Sequence, residues 1–502
     1  MKKVVMMKQL ALFMMTLLIA TTATAQVDRE EFERQRQQMR EQFEREKNQM
    51  RKQYDEERRK AEEEFAAFRQ KANEEYAAAV QQAWAQMGVQ PAIPKPKEPE
   101  PPSPPKPPVD KIPTTIPLPQ GEVTPPAKLD PVPLPAIPEP EPATPTMQFA
   151  FYGATCDVHT AVDGLRFKLP SLEEKSIAAA WKELSQKKYD GLLHDCIAQR
   201  EAMHLSDWGY LRLLGSMSER LLGKGSNEAT LLQMYLLAQS GYNVRIARRD
   251  NHLVLLMPFN RILYNYSFIT LDGTKYYMLA PKGKGGIYVC NVAFPREQTA
   301  NILMGQMPDL GGTQKKRRTL QAEQFGTMKA TVEVAQSLID YLGDYPLSDA
   351  WEYYALAGLS DGVKAVLYPA LRSQIEGKSK KKAAGMLLDF VQTAFDYATD
   401  QEQFGYERPL FADESIFYPK NDCEDRSIFY SILVRDLLGL DVVLVNWPGH
   451  LGTAVAFPEA VDGDYFTVDG RRYTVCDPTY IGADIGQTMP MFQNESAKLI
   501  KL

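Results

Sequence analysis

The chain has 502 residues, 44% of them hydrophobic, and a formal net charge of −6. It is too long for one compact domain, and its acidic balance gives no reason to expect a nucleic-acid partner. Its five cysteines, an odd number, leave at least one thiol without a partner in the same chain.

Residues 1–25 have the features of a secretory signal peptide. Lysines near the start precede an apolar stretch from Leu10 to Ala20, and the small residues Ala23-Thr24-Ala25 come before Gln26. The apolar stretch is short for a membrane span. We therefore expect cleavage and export to the periplasm, the cell envelope or the outside, with an uncleaved anchor as the alternative.

Residues 26–89 are rich in charged residues and carry apolar residues at a period of 11. Such a period corresponds to about 3.67 residues per helical turn, which gives a straight or slightly right-handed supercoil. We expect a long helix that self-associates as a coiled coil, and a single helix stabilised by i,i+4 pairs is the alternative. Two series carry the pattern: Phe32, Phe43, Tyr54, Phe65, Tyr76 and Met87, and then Met39, Met50, Ala61, Ala72 and Ala83.

Residues 90–146 are dominated by proline, as in PAIPKPKEPEPPSPPKPPVD. Proline removes backbone donors and fixes φ, so this composition predicts a stiff spacer without a packed core. A site for a proline-binding partner is the alternative.

The stretch 421–480 places three chemically active residues at the ends of predicted elements. Cys423 begins an apolar pattern of helical spacing that stops at Gly439, and His450 opens a strand after the turn Asn446–Gly449. Asp477 follows a third strand, and because strand side chains alternate, only one of Cys476 and Asp477 can face the helix. A helix N-terminus favours an anion, so we expect the Cys423 thiol to ionise easily.

Nucleophilic catalysis by a thiol needs a thiolate, an imidazole and a carboxylate that orients the imidazole. The cysteine, histidine and aspartate lie 27 residues apart in turn, in the contexts DCED, GH and DPT. This ordered set resembles the transglutaminase-like domain of the papain-like cysteine-enzyme superfamily. The resemblance implies that Cys423 is the nucleophile, His450 the general base and acid, and Asp477 the orienting carboxylate.

Two further expectations concern the surroundings of the thiol. An oxyanion hole would use the Cys423 backbone N–H and one more donor, for which Trp447 and Gln403 are candidates. Glu424 and Asp425 suit a helix N-terminus, but their charge opposes thiolate formation, so we expect them to point away from the sulfur.

The region 147–320 reads as a degenerate copy of the unit at 321–502. In both regions a histidine lies 11 residues beyond a helix-ending glycine, and in the first it is His252. Gly225 and Ala280 stand where the second copy has its cysteine and aspartate, so we expect the first copy to lack catalysis. Coincidence between two ordinary helix–strand–strand units is the alternative.

These observations predict an α+β protein with two transglutaminase-like units, each a helix packed on an antiparallel sheet, after a coiled-coil helix and a proline-rich linker. The expected function is that of an exported cysteine enzyme acting on peptide or isopeptide amide bonds, with hydrolysis favoured over amine transfer and a protein or peptide substrate. No metal or cofactor is expected, because HExxH is absent and the set His194, Asp195 and Cys196 is too sparse for zinc. The alternative is a non-catalytic binding or scaffold protein of the cell envelope.

Overall fold

A computed structural model describes residues 29–96, 115–135, 145–187, 189–279 and 286–502. The chain divides into two compact units, Met1–Lys71 and Ala72–Leu502. The predicted signal peptide lies outside the described residues. Within the described ranges, no helix combines the length and the apolarity needed to cross a membrane.

Helix α1 spans Arg29–Val80. The absence of proline and glycine permits its length, and i,i+4 pairs such as Gln42 with Glu46, 3.0 Å apart, support its exposed surface. The helix is confirmed, but the predicted end at residue 89 is wrong, because a turn follows Val80 and Trp84–Met87 forms strand β1.

The members of the 11-residue repeat have different surroundings in the two units. In the first unit, Met39, Phe43, Met50 and Tyr54 are between 42% and 58% exposed. In the second unit, Tyr76 is buried and belongs to the hydrophobic core. Self-association through the exposed positions stays a prediction.

The first half of the larger unit is a helical layer followed by a sheet. The N-terminal hairpin is β3 (Met147–Phe151) and β4 (Ala154–Val158). The helices are α2 (Glu174–Gln186), α3 (Asp190–Ala202), α4 (Asp207–Leu222) and α5 (Asn227–Gln239). The strands are β5 (Arg245–Arg249), β6 (His252–Met257), β7 (Phe268–Leu271), β8 (Thr274–Leu279) and β9 (Ile287–Cys290).

A hairpin and helices connect the two halves. They are β10 (Lys315–Gln321), β11 (Lys329–Ala335), α6 (Gln336–Gly343), α7 (Glu352–Leu356), α8 (Asp361–Ile375) and α9 (Lys380–Thr393). Short elements then lead to the cysteine helix: β12 (Asp396–Tyr397), α10 (Asp400–Gln403), α11 (Ala412–Phe417) and β13 (Lys420–Asn421).

The second half repeats the order of a helix followed by a sheet. Its elements are α12 (Cys423–Leu438), β14 (Val442–Trp447), β15 (His450–Val455), β16 (Tyr465–Val468), β17 (Arg471–Val475) and β18 (Ala497–Lys501). A 3₁₀ turn at Pro490–Phe492 precedes the last strand.

The two six-stranded sheets have the same arrangement of strands. The first has the order β7-β8-β6-β5-β9-β1, and the second has β16-β17-β15-β14-β18-β2, where β2 is Gln120–Thr124. The pairings are antiparallel except that β2 lies parallel to β18. The architecture is therefore mixed α+β, as predicted, with two sheets of equivalent topology.

Both faces of each six-stranded sheet are buried, and the helix that directly precedes the sheet in the chain packs on one face. In the second sheet Leu451 and Val455 share a core with residues of α12, whereas Ala454 and Trp447 belong to a separate cluster on the other face. Side chains that neighbour each other along a strand therefore meet different environments.

The proline-rich region is not a free spacer where the structure describes it. The Asn265 N–H donates to the Ile93 carbonyl at 2.8 Å, and β2 adds an outer strand to the second sheet. An extended chain keeps backbone groups that can pair with an open sheet edge, which local composition does not reveal. The spacer prediction is wrong for residues 90–96 and 115–135, and residues 97–114 and 136–144 lie outside the described part.

Candidate active site

The nucleophile candidate begins its helix, as the sequence predicts. Cys423 is the first residue of α12, Asp422 is the N-cap, and Gly439 ends the helix in the left-handed conformation at φ 63°. Asp425 stabilises the first turn, since its two carboxylate oxygens accept hydrogen bonds from the N–H groups of Asp422 at 3.4 Å and Leu410 at 2.9 Å.

His450 and Asp477 form a direct buried pair. His450 Nε2 lies 2.8 Å from Asp477 Oδ2, and each residue is only 2% exposed. The second carboxylate oxygen accepts the Thr479 N–H at 2.9 Å, which fixes the orientation of the acid. Because Nε2 faces Asp477, Nδ1 is the ring nitrogen that a reacting group would use.

Aromatic rings surround the imidazole. The ring of His450 stacks on Phe492 at a centroid distance of 5.0 Å and on Trp447 at 5.8 Å. Gly452 leaves room for this arrangement, because a Cβ there would lie 2.9 Å from the Trp447 ring. Phe492 was missed by the sequence analysis, since it comes from a short turn without a recognisable pattern.

The third member of the predicted triad, Cys423, lies beside Leu451, the residue that follows His450. The Leu451 N–H acts on the Cys423 sulfur as a hydrogen-bond donor that lowers the thiol pKa. One turn along α12, the Ser427 hydroxyl donates to the Leu451 carbonyl at 2.8 Å and ties the strand to the helix. The structure thus joins His450 and Asp477 directly, but on the face of β15 opposite to the one that packs on α12, where Cys423 lies against Leu451.

The structure also shows which of the two residues after β17, Cys476 or Asp477, faces helix α12. Cys476 belongs to the core that Tyr430 of α12 also forms, and burial raises the Cys476 pKa overall, although the neighbouring Tyr430 hydroxyl acts to lower it. Asp477 points to the other face, towards His450. The acid is therefore positioned by the sheet and the imidazole, not by the helix.

The expectation of an easily ionised thiol is wrong for this arrangement. Burial raises the pKa of Cys423 well above its ordinary value, and the charges of Glu424 and Asp422 raise this pKa further. The Cys423 thiol donates a hydrogen bond to Glu424 Oε2 at 3.0 Å. Since these effects oppose the helix dipole and exceed it, the resting form is the neutral thiol.

The expectation that both acids point away from the sulfur is wrong for Glu424. Glu424 is buried beside Cys423, and its carboxylate accepts the hydrogen bond of the thiol. Asp425 does turn elsewhere, to the N–H of Leu410.

A cavity of ≈ 610 Å³ opens beside the thiol. Cys423, Gly449 and Leu451 line it on one side, and carboxylates line another: Asp400, Glu407, Asp422 and Glu424. Within each of the sets Asp400, Glu407, Glu424 and Asp400, Asp422, Asp425, one oxygen per residue lies within 4.8 Å of the others. Such oxygen groups suit a hard divalent cation. Burial and the charge of Glu424 raise the pKa of Asp400 to about 8.

The two oxyanion-hole candidates lie away from this cavity. The Gln403 amide N–H donates to the Lys420 carbonyl at 3.0 Å, so that donor is already used. The Trp447 indole N–H is buried without an acceptor in the described part of the chain, and its ring covers His450. Neither side chain is among the residues that line the cavity.

In the first sheet, the start of α5 meets the start of β6 as the start of α12 meets the start of β15, but the residues at this junction of helix and strand differ. Asn227, not Gly225, begins α5, and its Oδ1 accepts the Leu253 N–H at 2.8 Å. Leu253 follows His252 as Leu451 follows His450, so Asn227 is the residue that corresponds in position to Cys423. Gly225 precedes the helix with φ +68°, and Ala280 lies outside the described residues.

This first junction also has a cavity, of ≈ 700 Å³. His252 is exposed and lines it together with Asn227, Arg212 and Arg249. The two junctions therefore have the same arrangement of helix and strand but different charged residues around their cavities.

No family model, curated protein or solved structure matches this chain. The family resemblance therefore depends on the residues and geometry described above. All five cysteines are free and buried, so no disulfide connects the two sheets.

Proposed function

We propose that the chain is an exported cysteine-dependent enzyme of the transglutaminase-like, papain-like kind that hydrolyses amide bonds in peptides or proteins. The supporting observation is the buried His450–Asp477 hydrogen bond of 2.8 Å, in the sheet whose other face packs on the helix that begins with Cys423. A buried acid on one imidazole nitrogen fixes the tautomer that lets the other nitrogen accept a proton.

The chemistry follows from the neutral resting thiol. The Cys423 sulfur attacks the amide carbonyl carbon, and the thiol proton, hydrogen-bonded to Glu424 in the resting chain, passes to His450, whose ring must first turn from the opposite face of β15 towards the sulfur. The imidazolium, stabilised by Asp477, then protonates the leaving amine, and an acyl-thioester forms on Cys423. In this proposal the backbone N–H of Cys423, in the first turn of α12, donates to the carbonyl oxygen. Water, deprotonated by His450, releases the acid product and restores the thiol.

A cleavage assay tests this proposal. The full chain is incubated with a mixture of casein peptides, and the products and the intact protein mass are followed by mass spectrometry. We expect new peptide termini and a mass increase on the residue at 423, both absent in Cys423→Ser. Cys290→Ala, which alters a buried cysteine of the first sheet, is the matched control and retains cleavage. Equal cleavage by Cys423→Ser rejects the proposal.

A second candidate function is that of a non-catalytic binding or scaffold protein of the cell envelope. Two observations favour it: the thiol hydrogen-bonded to Glu424, and the exposed apolar residues of α1. Sedimentation of the full chain against a Phe43→Glu/Tyr54→Glu variant tests the assembly, since a monomer in both samples contradicts self-association.

A further inference from the structure

The cavity beside Cys423 already holds an ammonium group that belongs to the chain itself. Lys95 Nζ lies 3.3 Å from Glu407 Oε1, and the side chain is only 10% exposed. The same nitrogen lies 5.4 Å from the centroid of the Trp351 ring. An ion pair and a cation–π contact together are how proteins recognise a lysyl side chain.

The acidic side chains that line this cavity outnumber the basic ones. Asp400, Glu407, Asp422 and Glu424 line the cavity, and Lys95 is the one basic residue among its described lining residues. Asp422 is 3% exposed, and within the described chain its Oδ1 has no hydrogen-bond partner. A buried acceptor without a donor is costly, so this oxygen indicates a missing cationic or donor group.

The segment that carries Lys95 is held by backbone contacts of residues that precede Pro94. Gln90 pairs with Phe268, and the Ile93 carbonyl accepts the Asn265 N–H at 2.8 Å. Pro94 and Pro96 flank the lysine and line the cavity wall. Because the anchoring contacts lie before Pro94, the Lys95 side chain can leave the carboxylates without unpairing the strand contacts of residues 90–93.

We propose that this cavity is a recognition site for a lysyl side chain of a peptide ligand, with Glu407, Asp400 and Trp351 as its specificity determinants, and that Lys95 occupies it in the resting chain. The inference rests on the proposed function in taking the ligand to be the substrate of Cys423. An ammonium held by carboxylates is protonated and is not a nucleophile, so this is a site for recognition and not for amine attack.

Competition by Lys95 has a measurable consequence. A ligand that must displace an internal group binds more weakly, in proportion to the fraction of the chain in which the site is empty. Lys95→Met keeps a side chain of similar length that covers Trp351 but removes the charge. The variant therefore leaves the carboxylates accessible to an external lysine.

The test uses the full chain and two fluorescein-labelled peptides, followed by fluorescence anisotropy. One has the sequence of residues 91–96, PAIPKP, and the other has norleucine in place of its lysine. We expect Lys95→Met to bind the lysyl peptide at least about tenfold more tightly than the native chain does, with the norleucyl peptide weaker by a similar factor. Adding Glu407→Gln to Lys95→Met reduces this preference at least fivefold by the same reasoning, that is, by about 1 kcal/mol.

Lys315→Met, which removes an exposed lysine of β10, is the matched control and behaves like the native chain. Equal affinity for the two peptides, or no binding of either to Lys95→Met with an unchanged melting temperature, overturns the inference. Binding does not require catalysis, so Cys423→Ser keeps the preference. A lysyl preference without any cleavage rejects the proposed function alone, and cleavage without the preference rejects the recognition site alone.

Discussion

The junction of α5 with β6 and that of α12 with β15 have the same architecture and different chemistry. In each, the first residue of a helix contacts the backbone N–H that follows a histidine, through Asn227 in the first and Cys423 in the second. The first histidine, His252, is exposed, whereas His450 is buried between aromatic rings and bonded to Asp477. The shared arrangement of helix and strand sets the positions of the side chains, whereas Asp477 and the burial of the histidine decide whether a proton can be transferred.

The electrostatic surroundings of the two junctions also differ. Arg212 and Arg249 line the first cavity, with Asp250 and Glu219, so its charges are mixed. The second is dominated by carboxylates whose pKa values burial raises, as for Asp400 and Glu424. The proposed lysyl peptide is expected at the second junction and not at the first because the second cavity has an acidic lining and already holds the Lys95 side chain against Glu407 and Trp351.

The largest expected difference concerns turnover. His450→Gln removes the proton acceptor and is expected to lower peptide cleavage by about 10³-fold or more, whereas His252→Gln leaves cleavage unchanged. Initial rates on the casein peptides measure both variants under the same conditions. A comparable loss in the two variants contradicts the assignment of catalysis to the second sheet.

The next prediction concerns the free energy of unfolding. Asp477→Ala leaves the His450 ring and the Thr479 N–H without their acceptor in a buried place, and we expect a loss of about 2–3 kcal/mol. Asp484→Ala, at an exposed position on the following segment, is expected to change stability by less than about 0.5 kcal/mol. Urea unfolding measures both, and a loss below that of the control contradicts a structural role for the pair.

A smaller loss is expected at the first junction. Asn227→Ala removes the side chain that accepts from Leu253 and donates to the Asn251 carbonyl at 3.0 Å, at a cost of about 1–2 kcal/mol. Asn227→Cys places a thiol in the position of Cys423, but we expect no cleavage by that site when Cys423 is replaced by serine. Cleavage by the Asn227→Cys/Cys423→Ser variant would show that the acid is dispensable.

The last prediction concerns pH dependence. The pKa of Asp400 is raised from 3.8 to about 8, so the folded chain holds this proton more tightly than the unfolded chain does. The stabilising contribution is complete below about pH 4 and is lost as the pH rises to about 8. Asp400→Asn therefore gains stability relative to the native chain over this range. Unfolding midpoints at several pH values measure the difference, with Asp484→Asn as the control that shows no such trend.

Local sequence patterns determined the positions of the chemically active residues. Apolar spacing and a terminal glycine predicted that Cys423 begins a helix ending at Gly439, and turn residues predicted that His450 opens a strand. The 11-residue repeat predicted the long helix, and the shared glycine–histidine spacing pointed to two related sheets. These features follow from interactions between residues close in the chain, so the sequence contains them.

Tertiary structure alone decided how those residues are surrounded. The stacking of Phe492 on His450, the hydrogen bond from Cys423 to Glu424, and the position of Lys95 against Glu407 each depend on segments distant in the sequence. They also reverse the expected thiol pKa, because desolvation and nearby charge depend on what packs around a group and not on its neighbours in the chain. Sequence thus set where the reactive groups lie, and packing set their ionisation and the charged groups around them.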